Sequence, residues 1–123
     1  MFGDHSRKLS DRTLVPYSVF ISPTLSRIGL DEKQAKKAGV NYRYLVAAPN
    51  CSQLFSTRGI LKAPCDPKTD EILGATLYHE DSHEVINLVS LAMKMHTPYQ
   101  ILRDQIFTHP TMGEGLNDSI QNE

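Results

Sequence analysis

Short runs of alternating apolar and polar residues mark the first two thirds of the chain, and apolar residues recur at helical spacing in the last third. Leu14-Val15-Pro16 leads into Tyr17-Ser18-Val19-Phe20-Ile21, a β-prone alternating run that predicts a strand, with Pro16 suited to its first residue. Ser22-Pro23 breaks it, and Leu25 to Leu30 predicts a second short extended piece ending at Gly29. Asn41 to Ala48 predicts another strand, and Pro49 to Gln53 begins a loop. Arg58 to Ala63 and Ile72 to Tyr78 predict two more strands, joined as a hairpin by the turn-forming Asp66-Pro67-Lys68-Thr69-Asp70.

The helical signals are local caps and a 3.6-residue period. Asp31 to Ala38 predicts a short helix: Asp31 caps it, Gln34 closes a capping box, Lys36 and Lys37 suit its last turn, and Gly39 ends it. Ser82 to Met95 predicts the longest helix, with only Asn87, Ser90 and Lys94 on a narrow polar strip. Its apolar positions spread over roughly 220° of the circumference. Packing on a sheet needs a stripe somewhat over 100°. The surplus needs a cover, either a following helix or a partner surface. Pro98 opens that following helix, running to about Gln105, with Thr97 as its expected cap. A last short helix reaches about Ile120. Strands followed by helices predict an α+β fold, an antiparallel sheet with helices packed on one face.

Composition narrows the function classes. One chain of 123 residues, 40% hydrophobic and 22% charged, fits one domain with one core. A net charge of −1 gives no electrostatic case for nucleic acid. No apolar run approaches a membrane span, and the N-terminus has no signal-peptide core. Cys51 and Cys65 match no zinc or redox pair and are too few for a disulfide scaffold, so a reducing cytoplasm is the default location. No Gly-x-Gly-x-x-Gly follows a strand, so no dinucleotide site is expected within this sequence.

Two stretches carry candidate chemistry. In Thr108-His109-Pro110-Thr111-Met112-Gly113-Glu114, Pro110 holds His109 extended, while Thr111 and Glu114 spell a capping box. Glu114 either only caps, leaving His109 a surface histidine, or also hydrogen-bonds the ring and supports its charged form. His79-Glu80-Asp81-Ser82-His83 spells the His-Glu-x-x-His string of zinc proteases, which needs both histidines on one face of a continuous helix. Here the helix begins at Asp81 or Ser82 and leaves His79 outside it. The acids Glu80, Asp81 and Glu84 then suit a helix N-terminus, and no zinc is expected at His79 and His83. His96 is read as helping to end the long helix.

The stretch at His109 resembles the His-Pro-Thr-x-x-Glu signature that ends the pyridine nucleotide-disulfide oxidoreductases, the flavoenzymes that include glutathione, lipoamide and mercuric reductases. The resemblance runs from about Val15 to Asp118. Pro16 to Phe20, Ser22 to Leu30 and Leu102 to Phe107 look most like the bacterial reactive-chlorine-resistance branch, whose members are described as hypothiocyanous acid or copper(II) reductases.

The resemblance implies a C-terminal dimerisation (interface) domain over residues 14–123, with residues 1–13 as a linker or arm. It implies a homodimer, and FAD and NAD domains N-terminal to this segment in a parent enzyme. Those domains would use FAD and NAD(P)H, with no cofactor bound by this segment, which alone is expected to be inactive. The family's histidine crosses the dimer to exchange protons with the partner's substrate-attacking cysteine, oriented by the glutamate. Those roles fall on His109 and Glu114. His79 and His83 depart from the family's Gly/Pro-rich turn. Two other readings compete: a free-standing interaction module without an enzyme, and a small zinc hydrolase built on His79 and His83.

Overall fold

A computed structural model describes residues 13–47 and 59–119. Five strands form one antiparallel sheet: β1 (Tyr17–Val19), β2 (Leu25–Gly29), β3 (Arg43–Ala47), β4 (Ile60–Cys65) and β5 (Gly74–Tyr78), in the order β1-β2-β5-β4-β3. Among the described residues four short to medium α-helices accompany them: α1 (Glu32–Lys37), α2 (Ser82–Lys94), α3 (Gln100–Arg103) and α4 (Gly115–Ser119). The α+β class, the hairpin and the long helix are as the pattern predicts. Residues 1–12 of the arm expected over residues 1–13, and the loop expected to begin at Pro49, lie outside the described residues.

Local chemistry explains the elements. Asp31 accepts from the Gln34 N–H at 2.7 Å while Gln34 Oε1 accepts from the Asp31 N–H at 2.9 Å, the reciprocal box read from the sequence. Gly39, at φ 66°, turns the chain out of α1. In the β4–β5 turn, Asp66 Oδ1 accepts from the N–H groups of Lys68 and Thr69. The peptides preceding Pro23 and Pro110 are cis.

Alternation puts Ile28, Ala75, Leu77, Leu61, Ala63 and Leu45 on the sheet face toward α2. Val85, Ile86, Val89, Ala92 and Met93 of α2, together with Tyr99, Leu102 and Leu116, complete the core on that face. Gly74 makes the layer possible at β2: a Cβ there would lie 2.0 Å from the Leu30 carbonyl oxygen. On the other face, the register sets Val19, Leu25, Tyr78 and Ile60 in one apolar row across four strands. Val19 and Ile60 in that row are exposed.

The edge strand β1 inverts the usual pattern, with Tyr17 and Val19 outward and Ser18 inward. Ser18 meets Ser26 at 2.8 Å, Ser26 meets Ser82 at 2.8 Å, and the Ser82 hydroxyl donates to the Thr24 carbonyl at 2.8 Å. Each hydroxyl has one proton, so donation runs from Ser18 to Ser26, from Ser26 to Ser82, and from Ser82 to the Thr24 carbonyl. It pins the start of α2 to β1 and β2. Asp81 precedes α2 in a left-handed conformation and makes no side-chain cap bond.

The end of α2 corrects the expectation for Thr97. His96 takes the left-handed position at φ 53°, its N–H donates to the Met93 carbonyl, and the Thr97 N–H donates to the Ala92 carbonyl. This is a Schellman ending with histidine where glycine is usual. The Thr97 hydroxyl also donates to the Ala92 carbonyl at 3.1 Å, so Thr97 finishes α2 and does not cap α3. The helix expected from Pro98 to Gln105 is reduced to the single turn of α3. Its neighbour Tyr99 is buried, with its N–H on the Asp70 carbonyl and the Arg43 and Arg103 guanidiniums 5.4 and 5.8 Å from its ring centroid.

Candidate functional site

After α3 the chain runs irregularly through Asp104–Thr111 before a 3-10 turn at Met112–Glu114 leads directly into α4. His109 lies on this loop. Glu114 Oε2 accepts from the Thr111 N–H at 2.9 Å, and the Thr111 hydroxyl donates to the Thr108 carbonyl at 2.7 Å, which closes the loop across His109 and Pro110. Of the two readings left open for Glu114, the geometry is that of the second, in which one carboxylate both caps and bonds the ring. It caps the turn, and its Oε1 also lies 2.9 Å from His109 Nδ1. A carboxylate only accepts, so the Nδ1–H of His109 donates. The His109 side chain is 68% exposed and that of Glu114 33% exposed. The Thr111 N–H, followed by the His109 bond, holds the Glu114 carboxyl below the usual glutamate range.

Phe107 anchors the middle of the loop against the core. Gly113 permits its approach, since a Cβ there would lie 3.2 Å from Phe107 Cδ1. Two apolar clefts meet at Leu88, Phe107 and Thr108. One, of about 540 Å³, lies between the start of α2 and the His109 loop, with Asp81 and Glu84 on its rim. The other, of about 370 Å³, runs between the end of α2 and α3. The outer face of α2 borders both: Leu88, Leu91 and Met95 remain exposed, as do Ile101 and Ile106, the last 91% exposed. The helix α3 therefore covers only part of the surplus apolar arc predicted for α2. These clefts, and the loop's ties to α4, come from residues far apart in the chain and have no motif to announce them.

The structure separates the two histidines of the His-Glu-x-x-His string. His79 follows β5 and is buried, its Nδ1–H donating to the Glu80 carbonyl at 2.6 Å. Burial lowers its pKa, against the opposing pull of that carbonyl. His83 lies in the first turn of α2, with its ring centroid 5.3 Å from that of Phe20. Among the described residues no group of three or more His, Cys, Asp or Glu side chains is arranged to hold a metal ion. Cys65 is buried in β4 and its thiol is pushed up to about 12 by burial, so it is protonated at neutral pH. Cys51 lies outside the described residues. No described helix is long and apolar enough to cross a membrane.

Comparison with known proteins assigns this arrangement to a family. Residues 15–120 match the pyridine nucleotide-disulphide oxidoreductase dimerisation domain. The chain is 48% identical over 122 residues to the probable pyridine nucleotide-disulfide oxidoreductase RclA of Escherichia coli, across 96% of this chain and 28% of RclA. A mercuric reductase of Lysinibacillus sphaericus is 33% identical over 118 residues, across 93% of this chain and 21% of that protein. The solved structure of RclA, an HOCl-induced flavoprotein disulfide reductase from Escherichia coli, superposes with a TM-score of 0.85 at 48% identity, over 98% of this chain and 28% of that one. The chain thus spans under a third of the length of these relatives. It belongs to the pyridine nucleotide-disulphide oxidoreductase family and corresponds to its dimerisation domain.

Proposed function

We propose that this chain is the interface domain of an FAD- and NAD(P)H-dependent oxidoreductase, forms a two-fold homodimer, and supplies His109 and Glu114 to the partner subunit's active site. The observation that carries the reading is the 2.9 Å bond from His109 Nδ1 to Glu114 on an exposed ring. A histidine held as the Nδ1–H tautomer keeps Nε2 as its basic atom. Nε2 can take the proton of a cysteine thiol as the thiolate attacks, and return it to the leaving group. The flavin, when bound in the parent enzyme, would pass electrons from NAD(P)H toward that cysteine. In this reading cofactor binding falls to the parent's other domains.

Two surfaces support the assembly. The exposed Leu88, Leu91, Met95 and Ile106 beside the clefts fit an isologous contact with a second copy. The apolar row of Val19, Leu25, Tyr78 and Ile60 lies on the opposite sheet face, where the parent's other domains can cover it. Residues 14–123 form the domain in this reading, and residues 1–13 the arm to the remainder. The test is stopped-flow kinetics on the full-length enzyme. His109→Ala should leave flavin reduction by NAD(P)H unchanged and slow the acceptor-dependent step; equal rates in both steps would refute the role.

A further inference from the structure

The segment Met112–Ser119 grips the His109 loop at both ends. At the far end Glu114 holds His109. At the near end Asn117 Nδ2 donates to two main-chain carbonyls, Arg103 at 2.6 Å and Gln105 at 2.9 Å. Both bonds come from one amide group, whose two protons match two acceptors. The segment is itself fixed to the core by Leu116, which is 2% exposed. Between the two grips the loop has no regular hydrogen-bonding pattern, and Ile106 projects from it into solvent.

We propose that Asn117 is a positioning residue for the reaction: its double hydrogen bond fixes where residues 103–105 leave α3, and so sets where the loop delivers His109 and Ile106. The inference rests on the acid–base reading of His109. Glu114 alone controls the ring's tautomer and rotation, whereas the path of the backbone that carries the ring is set by where the loop is anchored: at Asn117, at the packed Phe107 and at Glu114. With the Asn117 end released, the loop can shift about Phe107, and misplacement of about 1 Å costs roughly 100-fold in a positioned proton transfer. Without the Asn117 donors, the Arg103 and Gln105 carbonyls would turn to water.

The experiment is a double-mutant cycle in the full-length flavoenzyme. Asn117→Asp keeps the side-chain shape and removes the donor. Asn117→Ala, at a half-buried position, repeats the test without the added charge, and flavin content and melting temperature identify the folded variants. The acceptor-dependent step should slow roughly 10-fold or more in either variant, with flavin reduction by NAD(P)H unchanged. In a His109→Ala background the same change should cost less than about 2-fold, because no ring is left to position. A loss of equal size in that background, or no loss in the wild-type background, overturns the proposal. Failure of the underlying reading shows separately, as His109→Ala alone leaving the acceptor-dependent step intact.

Discussion

His109 and Glu114, five residues apart, share a hydrogen bond of 2.9 Å from Nδ1 to Oε1, while the other carboxylate oxygen of Glu114 accepts from the Thr111 N–H. One carboxylate thus both builds the turn and orients the ring. In the full-length enzyme, His109→Ala should slow acceptor-dependent turnover by roughly 10²–10⁴-fold, the usual worth of general acid–base catalysis. Glu114→Gln, which still offers an acceptor but no charge, should fall between that variant and wild type. Flavin content should not change in either.

The Glu114 carboxyl titrates below the usual glutamate range, first because of the Thr111 N–H and second because of His109. A folded-state pKa lower than the unfolded one contributes stability that is present in full above the unfolded value and is lost as pH falls through the folded value. The turn should therefore hold at neutral pH and loosen only below roughly pH 4. The amide resonance of Thr111 reports this directly. Its shift should titrate with an inflection below the usual glutamate value and become flat in Glu114→Gln; an inflection at or above that value would refute the assignment.

Leu91 and Ile106 are exposed on either side of the cleft along α2. Leu91→Lys and Ile106→Asp should shift the isolated chain from dimer to monomer in light scattering at high micromolar concentration. Melting of the monomer should change by no more than about 0.5 kcal/mol, as for other surface substitutions. A wild-type chain that is already monomeric at these concentrations would remove the dimer contact from this surface.

Two glycines separate close approach from backbone conformation. A Cβ at Gly74 would lie 2.0 Å from the Leu30 oxygen, whereas at Gly39 it meets nothing within 4 Å, though φ there is 66°. Gly74→Ala should cost about 3 kcal/mol or more through forced displacement of β2 from β5. Gly39→Ala should cost about 1–2 kcal/mol through the left-handed backbone alone. Chemical denaturation of the two variants checks the order.

Much of this was legible because it depends on near neighbours. The Asp31–Gln34 box, the Asp66 turn and the Thr111–Glu114–His109 arrangement each involve residues within five positions of one another. Alternation likewise marked the strands, and the 220° arc of α2 announced an uncovered face. Thr97 departs from expectation because a threonine before proline suits a helix start, whereas the left-handed His96 turns the Thr97 N–H and hydroxyl back to Ala92. Ser18 broke the alternation rule because its partner, Ser26, belongs to the neighbouring strand and Ser82 to a distant helix. Asn117 has an unremarkable sequence context, and its acceptors lie 14 and 12 residues back.

Whether His109 acts across the dimer is read out by subunit complementation. Full-length subunits carrying His109→Ala are mixed, unfolded together and reassembled with subunits whose substrate-attacking cysteine has been replaced. Each parent homodimer lacks one of the two groups in both sites. In a mixed dimer, a site built from the cysteine of one subunit and His109 of the other is complete. Random pairing should then restore about a quarter of wild-type acceptor-dependent activity, since about half the dimers are mixed and each has one working site of two. Activity no higher than that of the two parent variants would contradict the account, because it would mean that His109 serves only its own subunit or none.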